Sequence, residues 1–152
     1  MNPVKMSFNP DKHVLFSPLN STKYRGEVPI ICRSTWEHNF CKWCDINPSI
    51  LLWSSESLAI PYYDEIKKKN RRYYPDFIIV VRNKENKEQI YIVEIKPFAQ
   101  TQPPVRGHKK ESTILNEAIT YQTNLSKWKA AEKYCKKYGY IFKILTERDL
   151  YK

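Results

Sequence analysis

No apolar run in these 152 residues approaches the roughly 18 that a membrane-spanning helix needs, so nothing here predicts a span. No signal peptide opens the chain, and the expectation is a soluble, intracellular protein. Acids are scarce: 16 Asp and Glu stand against 26 Lys and Arg, a formal charge of +10. That balance disfavours an acidic or neutral partner and favours a polyanion, with nucleic acid the first candidate. Cysteines are few, at 32, 41, 44 and 135. Cys41 and Cys44 have the two-residue spacing of half a zinc site, with His38 nearby, but they fall inside a predicted helix and no second closely spaced ligand pair follows. Zinc therefore stands as the alternative to the default reading, in which free cysteines are small buried hydrophobes in a reducing compartment.

What is present suffices for one domain with a real core, since 41% of the residues are hydrophobic. Residues 1–28 mix prolines with Asn, Ser and Lys and show no sustained period. They read as an extended N-terminal arm, either mobile or laid across the domain, whose lysines and Arg25 could touch phosphates. The domain proper is expected over residues 29–152.

The richest stretch runs from Arg72 to Arg82 and returns from Gln89 to Lys96. Both halves are dense in β-branched and aromatic residues, and the polar residues Asn83 to Lys87 between them suit a hairpin loop. Side chains alternate along a strand, so Asp76 shares a face with Ile78 and Val80, while Glu94 shares one with Ile92 and Lys96. If Arg82 faces Glu88, the register sets Asp76 opposite Glu94, with Cβ atoms roughly 5 Å apart. One residue more or less in the loop would turn Asp76 to the other face. Two opposed carboxylates are costly unless a proton or cation lies between them, and a hard divalent ion with oxygen ligands, magnesium, is the usual solution.

Pro75-Asp76, seventeen residues, then Glu94-Ile95-Lys96 resembles the signature of the PD-(D/E)XK nucleases. That resemblance implies that Asp76 and Glu94 hold Mg2+, for which Mn2+ could substitute, while Lys96 positions or activates a water. The bland alternative is a surface hairpin with solvated charges, which the apolar neighbours of Asp76 and Glu94 oppose.

The rest of the chain is read around this hairpin. Arg33 to Asp45 forms a first helix with Trp36, Phe40, Trp43 and Cys44 on its buried stripe. Glu37 has two readings: the third position of a capping box opened by Ser34, or, as the resemblance implies, an extra acid completing the metal site from the first helix. Ile50 to Trp53 is read as an apolar link and Glu56 to Tyr62 as the first strand, with Pro61 at an edge. Lys67, Lys68, Lys69, Arg71 and Arg72 crowd the turn before the hairpin, either as a phosphate-gripping loop or as a solvated face. The proline-bearing loop from Gln100 to Lys110 is a candidate flap over DNA, with Arg106, His108, Lys109 and Lys110 as phosphate contacts. His108 could instead serve as a general base, or be an ordinary surface residue. A long helix over Ser112–Tyr138, with Ile114, Ala118, Tyr121, Leu125, Trp128 and Cys135 as its stripe, stops at Gly139. Gln122, Asn124 and Lys127 sit near the edge of that stripe and could reach the scissile region, and Lys127 adds a DNA contact. A last strand over residues 140–145 completes a parallel βαβ unit.

The predicted fold class is α/β with a mixed sheet, in the order helix, three strands, helix, strand. This matches the restriction-endonuclease-like αβββαβ core of the nuclease family. Several stretches, among them Arg33-Ser34-Thr35-Trp36-Glu37, Trp53-Ser54-Ser55-Glu56 and Arg72-Tyr73-Tyr74-Pro75-Asp76-Phe77, are similar to one branch of it, the head-completion endonucleases of T-even-type tailed phages. A more distant similarity is to the nuclease subunit that cuts transposon ends. The closer resemblance implies an Mg2+-dependent endodeoxyribonuclease acting on packaged DNA ends before tail joining. It would meet portal or neck proteins and reside in the host cytoplasm or with the virion. The alternatives are a non-catalytic basic plug of the phage head and a cellular restriction or transposon-type nuclease.

Overall fold

A computed structural model describes residues 14–151. Its centre is a four-stranded mixed sheet with helix α1 (Thr35–Ile46) on one face and helix α2 (Glu111–Tyr138) on the other. The strands of that sheet, in spatial order, are β3 (Ile50–Ser55), β6 (Phe77–Arg82), β7 (Glu88–Ile95) and β8 (Ile141–Leu145). The first three are antiparallel, and β8 lies parallel to β7 after the α2 crossover. Helix, three sheet strands, helix, strand is the order expected.

The β6–β7 register is also the expected one, with Arg82 paired to Glu88 and Phe77 to Val93. Strand alternation then divides the core. Phe77, Ile79, Val93 and Ile95 pack with Trp36, Phe40, Cys41 and Cys44 of α1, while Ile92 and Phe142 pack with Trp128, Ala131 and Cys135 of α2. Glu94, two residues from Ile92, is therefore on the α2 side.

Several expectations need correction. The first sheet strand is Ile50–Ser55, the stretch read largely as a link, because a short apolar run with no alternation looks the same whether it joins elements or is one. The stretch read as the first strand contributes β4 (Ile60–Asp64), which leaves the sheet to pair with β5 (Lys69–Tyr73) as a separate hairpin. The basic residues from Lys69 to Arg72 are thus strand rather than turn. On α1, Cys41 is fully buried while Trp43 is 45% exposed, so the stripe runs one position away from that residue. On α2, Leu125 likewise faces outward and Ala131 inward.

Of the arm expected over residues 1–28, the first thirteen lie outside the described residues. Strand β1 (Val14–Phe16) pairs antiparallel with β2 (Ile30–Cys32), and the chain between them is anchored to the end of α1. Buried Asp45 accepts the Leu19 and Asn20 amides, each at 2.9 Å. The Lys23 ammonium donates to the carbonyls of Cys44, Asp45 and Asn47 at 2.7–3.0 Å, supplying a cation where the helix leaves acceptors unpaired. Gly139 ends α2 at φ 72°, a left-handed conformation that costs glycine little. A short helix α3 (Glu147–Leu150) follows β8 behind a Thr146 capping box.

Candidate active site

Asp76 immediately precedes β6, and continuing the β6–β7 register by one step sets it across from Glu94. The Ile95 amide donates to Asp76 Oδ2 at 2.7 Å, tying that carboxylate to the neighbouring strand. Glu94, 5% exposed, accepts at Oε2 from the Tyr73 hydroxyl and at Oε1 lies 3.8 Å from the Lys96 ammonium. Lys96 is held from behind. Its amide donates to Leu145 O at 3.0 Å, and just beyond it the Phe98 amide donates to Glu147 Oε1 at 2.8 Å while the Arg148 guanidinium stacks 3.4 Å over the Phe98 ring.

Glu37 arrives from α1. The Ser34 hydroxyl caps that helix by accepting the Glu37 amide at 3.1 Å, a contact worth about 1 kcal/mol. The Glu37 carboxylate accepts from the Arg33 amide, one residue ahead of the cap. It is also hydrogen-bonded to Asp76, which in turn bonds Glu94. The helix start and the acid cluster therefore share one residue.

Three carboxyls so placed oppose one another's ionisation. Desolvation, then the charge of Asp76, pushes Glu37 up to about 8. Asp76 is raised well above the usual carboxylate range by desolvation and by Glu94. Burial raises Glu94 as well, against the lowering influence of Lys96 and the Tyr73 hydroxyl. Without a cation, such a cluster lowers its energy by holding protons between its members.

The acids line a cavity of about 270 Å³ whose walls carry the opposite charge, from Arg33, Arg72, Lys96 and Lys127. Lys127 stands 5.8 Å over the Tyr73 ring, and desolvation together with the Lys96 charge lowers its pKa. Tyr74, half exposed, completes the mouth. Sequence reasoning singled out neither Arg33 nor the two tyrosines. The available signal was the aromatic pair directly ahead of Pro75-Asp76, which by position had to lie beside the acids.

The other expected contacts are more dispersed. Lys67 and Lys68 cap the β4–β5 turn, while Lys69, Arg71 and Arg72 lie on β5. Arg71 is 3.3 Å from buried Asp64, Arg106 is 3.9 Å from Glu111, and Lys109 is 2.8 Å from Glu117, so these three have partners within the chain. Lys110 occupies the N-cap position of α2. Gln122 is exposed and Asn124 buried, and neither lines the cavity.

Among the described residues, no three His, Cys, Asp or Glu side chains stand as a ready-made metal cage. Glu37, Asp76 and Glu94 each have a carboxylate oxygen engaged by a protein donor and are turned towards one another. Their chemistry is nonetheless that of a hard-cation site, all oxygen and all acidic, with each acid's pKa raised. The cysteines are elsewhere and fully buried, with Cys32 and Cys41 sulfurs 3.5 Å apart and His38 against Phe16. Burial raises Cys44, and its contact with Cys32 raises Cys41 further, which opposes the thiolates that zinc would require.

The family model described as TnsA-like endonuclease N terminal matches residues 47–147, a span that holds Asp76, Glu94, Lys96 and Lys127 and begins after Glu37. The chain is similar to the head completion nuclease of Enterobacteria phage T4, at 41% identity over 138 residues that cover 88% of this chain and 89% of that protein. No solved structure matches. With the β6–β7 hairpin inside the matched span and two thirds of its length covered, the chain belongs to the TnsA-like endonucleases, a PD-(D/E)XK-type family.

Proposed function

We propose that this protein is a Mg2+-dependent endodeoxyribonuclease that trims packaged DNA ends during phage head completion, before tail joining. The observation that carries the reading is the placement of Asp76, one residue before β6 and tied to the Ile95 amide, beside Glu94 of β7, with Lys96 3.8 Å from Glu94 in a cation-walled cavity. The likeness to a head completion nuclease supports the head-completion setting, in which portal or neck proteins are the neighbours we propose.

Asp76 and Glu94 would hold the ion, with Glu37 as a third ligand or a partner to one. When bound, the ion would supply a water of lowered pKa and charge to offset the phosphate oxygens. Lys96 directs an ammonium at the same space, where it orients the attacking water and stabilises the negative charge that develops on phosphorus-bound oxygen. Tyr73 fixes the Glu94 carboxylate. Arg72 and Lys127 bind the phosphate that enters the cavity, and Lys67, Lys68 and Lys69 extend the grip along the strand. Ionisation of the carboxylates accompanies cation binding, since their raised values return towards normal once a positive charge is among them.

The test is cleavage of linear duplex DNA by purified protein in Mg2+, Mn2+ and EDTA, with Asp76→Asn and Lys96→Ala beside the wild type. Cutting in Mg2+ that EDTA and either substitution abolish is the expected result. A wild-type protein that binds DNA but leaves it intact with either metal would overturn the reading in favour of a structural plug.

A further inference from the structure

Three described non-glycine residues have positive φ, and two of them, Lys68 and Asn86, sit in hairpin turns where the left-handed conformation is ordinary. The third is Glu56, at φ 49°, immediately after β3. A long side chain in that region is disfavoured and persists where surrounding contacts over-determine it. Those contacts lead to the acid cluster. The Glu56 amide donates to the Asp76 carbonyl at 3.0 Å, and its carboxylate accepts from the Arg33 guanidinium. A hydroxyl pair between Ser54 and Ser57 closes the bend around it. Arg33 lines the cavity, and its own amide donates to the Glu37 carboxylate.

We propose that Glu56 is a positioning residue for hydrolysis, fixing Arg33 at the cavity wall as a further contact to the scissile phosphate; this rests on the nuclease reading above. The planar guanidinium presents its donors in a fork that fits two phosphate oxygens, but only when its plane is fixed. An arginine left mobile at the mouth would spend binding energy on ordering itself, whereas one held by Glu56 meets the substrate already oriented. The backbone contact serves the same site, since the Asp76 carbonyl is held one residue from where β6 begins.

Glu56→Gly separates the two contributions. Glycine accepts φ 49° and retains the amide bond to Asp76, so Tm should stay at or above the wild-type value while the carboxylate is removed. The expected result is a kcat reduced about tenfold or more, with partial rescue in Glu56→Gln, which can still accept from Arg33. In an Arg33→Gln background, Glu56→Gly should cost less than about twofold further, because its target is already absent. A Glu56→Gly protein that cuts at the wild-type rate, or a loss that adds in full to that of Arg33→Gln, would overturn this proposal while the nuclease reading stood on the wild-type and Lys96→Ala controls. A wild-type protein that fails to cut would remove both.

Discussion

The Tyr73 hydroxyl donates to Glu94 Oε2, joining the last residue of the β4–β5 hairpin to an acid in the middle of the main sheet. The bond crosses 21 residues of sequence and is buried. It gives the peripheral hairpin a mechanical connection to the centre of the site.

Tyr73→Phe tests that connection. Removing the hydroxyl leaves a buried Glu94 oxygen without its donor, at a stability cost of about 1–3 kcal/mol measured by denaturant titration. Cleavage should fall about tenfold at saturating DNA, with the Mg2+ requirement raised, because the same carboxylate loses its fixed orientation. Unchanged Mg2+ dependence and rate would show that Glu94 needs no such support.

The acid cluster sets a pH dependence for the metal-free protein. Glu37 has an ordinary value of 4.5 and reaches about 8 in the fold, so between these values the folded chain holds a proton that the unfolded chain has released. Stability therefore decreases as pH rises through that interval and levels off above it. Melting in EDTA should show Tm falling between pH 6 and pH 8.5, with the fall reduced in Glu37→Gln and largely removed by Mg2+. Curves in EDTA that are flat across this range would contradict the shared-proton arrangement.

Glu37→Gln also separates the two uses of that residue. Glutamine can still accept from the Arg33 amide, so the helix start should survive and Tm at neutral pH should match or exceed wild type. Nuclease activity should drop about a hundredfold or more if the charge serves the cation. Full activity would leave Glu37 as a helix-start residue alone.

Asp64 makes the opposite electrostatic contribution. Its carboxylate accepts the Ile66 and Lys67 amides at 3.0 Å each and faces Arg71, with the Lys67 amide the largest influence holding its pKa below the ordinary value. Its stabilisation is present above the unfolded value and disappears as pH falls through the folded one. Asp64→Asn should lower Tm at pH 7 and draw closer to wild type as the pH falls below the ordinary carboxylate range, while Asp64→Ala, which also frees two amides, should stay below both. An Asn variant as stable as wild type at pH 7 would show that the charge contributes nothing.

The lysines at the hairpin tip should act on affinity alone. Replacing Lys67, Lys68 and Lys69 by glutamine should weaken DNA binding in Ca2+ and reduce the salt slope by roughly one unit for each phosphate no longer neutralised. The single-turnover cleavage rate at saturating protein should stay near wild type. An unaltered salt slope would mark these residues as a solvated turn.

What the sequence disclosed followed from local periodicity. The β6–β7 register was readable because a polar stretch from Asn83 to Lys87 is bounded by two β-rich runs, which leaves little freedom in pairing Arg82 with Glu88. The βαβ crossover was readable from the length of α2 and its Gly139 stop. Strand β3 was hidden because Ile50 to Trp53 alternates poorly, and the β4–β5 pairing because four of the five residues of its second strand are polar or charged and exposed. Arg33 escaped for another reason: its partner Glu56 lies more than twenty residues away, and nothing in local pattern specifies such a pairing, whereas Tyr73 was marked only by its place ahead of Pro75-Asp76 and not by its bond to Glu94.

The placement of β7 between β6 and β8 divides the molecule by rigidity. Glu94 and Ile95 belong to a strand hydrogen-bonded along both edges, whereas Lys69 to Arg72 belong to a two-stranded ribbon outside the main sheet. Amide exchange should be slowest on β7 and fastest at the ribbon tip. A lineage could thus lengthen or recharge the ribbon tip, away from Arg72 and Tyr73, to meet a different DNA shape while the acid cluster stayed as it was, so that substrate choice and bond breaking can diverge independently.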